Sequence, residues 1–351
     1  MDLPAGLARE RLGGAGVQST AKRWVQVAGF VLGLALLAWC VVLVVGDEKR
    51  LEEAKRLAQS PGVLAQLVAL SVGVSLCSGM VFRSVLSPVT KLPVADALAV
   101  NAVATLLNNL PFKLSLVARA YLHRTRNGVP LPRIVAWMAA AAGVIAVSVL
   151  PPLGATLLLK SVDAVWWAVV VVTTVVLGGL LVVAGRVTQS EAFWAWLAAM
   201  GQKLPGPLGR VVAGAAFQDL RDGPRMLASP AGVAQGLFWR SGAMGFGVWR
   251  FVVAAAAVGG VMTIGQCVVA DSVYYSIQAA APTGALGARE GGTVAAVAAV
   301  AGKQLPVVVL AVSAAETAAN LLCAGVALLY LKLTRPKASE PRPSGSEPTP
   351  P

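Results

Sequence analysis

Two stretches of the sequence set glycine, proline and charge between long apolar runs, and they hold the residues with the most chemistry to offer. The first reads Asn108-Asn109-Leu110-Pro111-Phe112-Lys113, and no acid follows until beyond Arg133. If residues 113–127 are helical, Arg119, His123 and Arg126 share one face through their i, i+4, i+7 spacing. Guanidinium forks on such a face match phosphate oxygens. The plainer alternative is a basic loop that only fixes orientation. The second stretch runs from Pro282 to Gly292 and contains Gly284, Gly287 and the pair Arg289-Glu290. Its glycines make continuous helix unreliable. Irregular backbone at membrane depth survives only where protein or a water-filled cavity satisfies its polar groups, so each break is predicted to line something. One break in each half is a sequence pointer to a transporter's binding site. Asn109, Lys113, Arg119, Arg126, Gly284, Gly287, Arg289 and Glu290 are therefore the predicted substrate-binding residues.

Two carboxylates lie in apolar surroundings: Asp271, with Tyr274 and Tyr275 on its helical face, and Glu316, near the middle of the last apolar run. Buried, either could couple movement to protons; the alternative is a salt bridge to Arg240 or Arg250. Those two arginines are expected to snorkel, pair or line a cavity, the plainest arrangement placing one at each end of their helix. His123 is the only histidine, and Cys40, Cys77, Cys267 and Cys323 all fall in apolar runs. They read as buried thiols rather than disulfides or metal ligands. No metal cluster and no nucleophile–base pair stands out, so neither enzyme activity nor a cofactor is expected.

The elements that must position these residues are helices. The chain is 57% hydrophobic and 13% charged, which excludes a soluble catalytic domain of any size and points to an all-α, polytopic membrane protein. Six full spans are predicted, near 24–45, 62–81, 134–150 with an extension to 160, 164–184, 232–260 and 306–331. The weaker segment 94–112 lies between two basic clusters, so as a full span it would violate the positive-inside rule. It reads as a re-entrant hairpin opening to the cytoplasm. Keeping Arg225 and Lys332 on one side requires 261–303 to enter from outside and return, the opposite sense, which implies an inverted repeat. Residues 1–23 form a cytoplasmic tail, 24–333 the membrane domain and 334–351 a disordered Pro-rich tail. Phe193, Trp194 and Trp196 suggest an interfacial helix. The net charge of +13 sits in loops beside spans, which suits topology and anionic headgroups rather than nucleic acid.

Several of these residues also resemble a known family. Asn109-Leu-Pro111-Phe-Lys113, Arg119, Asn127-Gly-Val-Pro130 and Pro282-Thr-Gly284-Ala-Leu-Gly287-Ala-Arg-Glu290 resemble the two loops of the transmembrane region of lysylphosphatidylglycerol synthases and related stand-alone flippase-like proteins, over about residues 20–333. Departures are present: the family's Gly-Glu in the first loop is Ser115-Leu116, and a family arginine in the last helix aligns roughly with Glu316. The resemblance implies a bacterial cytoplasmic-membrane protein with both termini inside that flips a lipid with an anionic or aminoacylated headgroup, phospholipid or polyprenyl-linked. No soluble synthase domain is expected to accompany the membrane region. A non-transporting accessory to a lipid-modifying enzyme or glycosyltransferase is the competing expectation.

Overall fold

The computed structural model describes residues 27–110, 114–159, 161–202, 219–280, 285–302 and 305–334. Lys113, Gly284, both predicted tails and most of the 185–229 connection beyond its first helix lie outside them. Among the described residues every regular element is a helix. The first is α1, Val27–Val45. Next comes α2, Glu48–Ala58, whose start is capped by Asp47 accepting from the backbone N–H of Lys49 and Arg50. Helices α3, Pro61–Leu86, and α4, Val94–Leu107, precede the first break, and α5, Leu114–Asn127, follows it. Then come α6, Leu131–Leu159, and α7, Ala164–Thr188. In the exposed turn before α7, the Trp166 backbone N–H and the Ser161 hydroxyl hold the Asp163 carboxyl below its usual range. Helix α8, Glu191–Gln202, and the short α9, Asp222–Leu227, complete the connection. The last four are α10, Pro230–Ala257, α11, Ile264–Ala280, α12, Ala288–Ala301, and α13, Pro306–Leu333.

Helices α1, α3, α6, α7 and α13 are long and apolar enough to cross a membrane, and the chain is a multi-pass helical membrane protein. The sixth predicted span, α10, has 28 residues, but its arginines and glycines lower its hydropathy and leave it outside that group. Helix α6 joins the predicted span and its extension into one helix. It passes through Pro151 and Pro152 without a break for 29 residues. Both prolines are buried, and the Thr156 hydroxyl donates back to the Pro152 carbonyl, so packing holds the helix across two missing donors. Helix α7 has only 11% of its apolar window buried, against 50% in α6, which makes it the peripheral, lipid-facing element that its Val and Leu content predicts.

The short helices pair as hairpins on either side of the two breaks, α4 with α5 and α11 with α12. Their open ends lie at opposite ends of the bundle. Arg126, late in α5, hydrogen-bonds Thr334 just beyond α13. Val297, late in α12, instead packs with Leu57, Val258 and Val307, next to the start of α13. The closed ends meet: the Ala285 N–H donates to the Asn108 carbonyl at 3.3 Å, and the Asn108 amide donates to the Gln278 carbonyl at 3.0 Å.

Candidate functional site

Helix α5 carries the predicted face, and that face turns inward. Arg119 and His123 are buried, while Val117 and Tyr121 on the other side are exposed. This is the reverse of a helix in water and suits one whose surroundings are apolar. The three polar residues of the face reach three different places. Arg119 donates from Nη2 to the Asn101 side-chain oxygen at 2.9 Å and lies over the Phe82 ring at 3.9 Å. His123 packs against Trp137 and meets the Asn127 oxygen through Nδ1 at 3.0 Å. The Asn127 amide donates to Asp96, so its oxygen is the end left for His123 and the ring carries its proton on Nδ1. Arg126 pairs with Asp96 at 2.9 Å, which also accepts from the Tyr330 hydroxyl. That cluster ties α4, α5 and α13 together and leaves Arg126 outside the cavity described below, a structural place rather than the substrate contact predicted for it.

The second break closes on α1. Gly287 has φ +82°, and a Cβ there would stand 1.6 Å from the Gly33 carbonyl oxygen, so only glycine fits. The Glu290 carboxylate accepts from the Gly287 N–H, from Arg289 Nε at 2.7 Å and from the Ser313 hydroxyl. Arg289 reaches on to Glu316 at 3.1 Å. Neither Arg289 nor Glu290 lines the cavity; both are fully buried and lock α12 to α13.

Glu316 continues the network, accepting from Gln278 at 2.8 Å and pairing with Arg250 at 2.8 Å. Arg250 also faces Asp271 at 3.5 Å. The salt-bridge alternative for Asp271 and Glu316 is thus the arrangement found. Asp271 approaches so closely because α10 offers Gly247 opposite it: a Cβ there would lie 2.1 Å from the carboxylate. Of the alternatives for Arg240 and Arg250, snorkelling from opposite helix ends is not the one found: Arg250 pairs and both line the cavity described below. Both are 2% exposed and point into the bundle, because the interior offers carboxylates and aromatic rings that lipid does not.

Between the hairpins lies a cavity of ≈ 250 Å3. Its charged lining is Arg119, Arg240, Arg250, Asp271 and Glu316, among hydroxyls and amides that include Ser75, Asn101, Tyr275 and Gln278. Both breaks contribute flanking residues, Asn108 and Ser115 from the first and Gln278 and Ala279 from the second. Asn108 takes the lining place that Asn109 was predicted to hold; the Asn109 oxygen is buried without a partner.

Arg240 stacks on Tyr275 at 3.6 Å and makes no ion pair among the described residues, with Nε and Nη2 unpartnered. Arg119, on the same cavity lining, leaves Nη1 unpartnered. Two guanidinium groups of the lining therefore have N–H donors to spare. Around the cavity and the network behind it, the buried arginines 119, 240, 250 and 289 face the buried carboxylates 271, 290 and 316; buried Asp96 and Asp222 are neutralised elsewhere by Arg126 and Arg133, so this interior carries one positive charge in excess. Arg240 was visible in the sequence as an arginine inside a span; its unpartnered state was not. No group of His, Cys, Asp and Glu among the described residues could hold a metal ion, and three of the thiols are buried and Cys323 is half-buried. No protein-family model matches this chain, and neither a curated protein nor a solved structure does.

Proposed function

We propose that the protein binds the anionic headgroup of a membrane lipid in this cavity and carries it across the bilayer. One observation supports the reading above the others: Arg119 and Arg240 present donors to a cavity at the junction of two broken-helix hairpins. A buried N–H without a partner costs about 1–3 kcal/mol, and an oxyanion placed between the two guanidinium groups would offset that cost through charge-assisted bonds. The net positive interior favours a phosphate-bearing headgroup over a cationic one. Opposed hairpins around a central site suit alternating access. The sequence resemblance to the flippase-like relatives of lysylphosphatidylglycerol synthases agrees with the same lipid-handling role. Bases at the ends of α3, α5, α7 and α13 and the start of α6, namely Arg83, Arg124, Arg186, Lys332 and Arg133, would face the cytoplasm of a bacterial cell.

The test is transport. Purified protein in liposomes holding fluorescent phosphatidylglycerol or polyprenyl phosphate should speed exposure of the label to an outer-leaflet quencher. Arg240→Gln and Arg119→Gln should each slow that process at least ~10-fold, the loss of one charge-assisted contact. Folded protein that moves neither lipid would count against transport and favour the accessory role.

A further inference from the structure

The three buried carboxylates of the central network, Glu290, Glu316 and Asp271, are held unequally, and the least tied of them borders the cavity. Glu290 accepts from Gly287, Arg289 and Ser313. Glu316 accepts from Gln278, Arg250 and Arg289. Asp271 has a single ion-pair contact, the 3.5 Å approach of Arg250, although it too is 3% exposed. The groups that face it are Arg250 and Arg240 from α10, Glu316 from α13 and Cys267 from its own helix. Helix α12, packed on α11, brings Arg289 and Glu290, which are bound to each other, with Arg289 also paired with Glu316; helix α6, also packed on α11, has Arg133 as its one charged residue, at the far end of the helix and paired with Asp222.

Resting on the anion-binding reading above, we infer that Asp271 takes up a proton when a dianion enters the cavity and stays ionised when a monoanion does. The argument is charge balance in a medium that penalises net charge. The empty interior carries one positive charge in excess. A phosphodiester or another monoanion beside Arg240 cancels it. A phosphomonoester or another dianion leaves one negative charge too many, and the nearest carboxylate with few bonds to lose is Asp271. Its proton comes from water, and the pair enters as dianion plus proton. Glu316 and Glu290 would each surrender three bonds to do the same. The site would thus treat lipid monophosphates, which are dianionic, and phosphodiester lipids differently: occupation by the first is linked to pH and by the second is not.

Calorimetry on the full chain in detergent tests this with two probes that keep their charge throughout, sulfate as the dianion and dimethyl phosphate as the monoanion. Titrations at one pH in buffers of different ionisation enthalpy report protons taken up per anion bound. Sulfate should bring in a proton, up to about one per site, and bind roughly 10-fold tighter at pH 6 than at pH 8. Dimethyl phosphate should bring in close to none. Asp271→Asn, nearly isosteric beside Gly247, should bind sulfate at pH 8 more tightly than the unaltered protein does, with the uptake abolished. Sulfate binding without proton uptake in the unaltered protein overturns the inference and leaves the anion site standing, as does uptake that persists in Asp271→Asn. If neither anion binds, the anion site falls and this inference with it. The result from the unaltered protein decides even if the variant does not fold.

Discussion

Arg289 and Arg240 are both buried arginines, yet their removal should have opposite consequences. Arg289 holds two carboxylates, Glu290 and Glu316. Arg289→Met should cost about 3–5 kcal/mol because it strands buried negative charge. Arg240 has no ion pair to strand among the described residues, and two of its nitrogens lack a partner, so Arg240→Met should leave stability unchanged or raise it while weakening anion binding. Melting temperatures of the two variants in the same detergent check the contrast, and equal losses would mean that Arg240 is structural. The sequence displayed every one of these charges, but it did not reveal which of them are partnered. Arg250 and Glu316 stand 66 residues apart, and their pairing depends on how two helices are rotated against each other, which no local pattern encodes. Tyr275 was visible only as a neighbour of Asp271; its stacking under Arg240 required the packed bundle.

At the scale of elements, both breaks were legible because glycine and proline act on the backbone directly. Gly287 at φ +82° against the Gly33 carbonyl is the sharpest case. Gly287→Ala should displace α1 or the break, costing several kcal/mol. Gly302→Ala, with φ +68° but open space around it, should cost only ~1 kcal/mol for the left-handed backbone alone. Comparing the fraction of each variant that elutes as folded protein, and its melting temperature, separates the two effects. The extension of α6 past Pro151-Pro152 was legible as an apolar run, but its unbroken helical form was not, because proline's local preference lost to burial on both sides of the pair, a tertiary effect. The inward face of α5 was correctly placed on one stripe, but its three residues were expected to act together. Only Arg119 reaches the cavity, since a seven-residue stripe extends about 10 Å along the axis and Asp96 claims Arg126 at the end of it.

For the whole molecule, hydropathy and loop charge were enough to foresee a helical membrane protein with opposed hairpins, since both are set by the solvent rather than by particular contacts. The opposition can be checked from outside. Cysteines introduced in place of Lys49, in α2, and Lys332, at the end of α13, should react with an impermeant maleimide from opposite sides of a sealed membrane. Reaction from one side would place both chain segments together and undo the arrangement of spans. The meeting of the hairpin tips carries a further consequence. Asn108 joins the two hairpins through its carbonyl to Ala285 and through its amide to Gln278, and each such bond contributes only about 1 kcal/mol net. Thermal motion can part so weak a junction, yet its direction and register bring the same partners back. Under the transport reading proposed above, in which the halves rock past one another, that junction would be a detent, marking a resting position without locking it. The amide of Ala285 would then keep its time, giving up its proton to solvent only at the pace at which the halves separate.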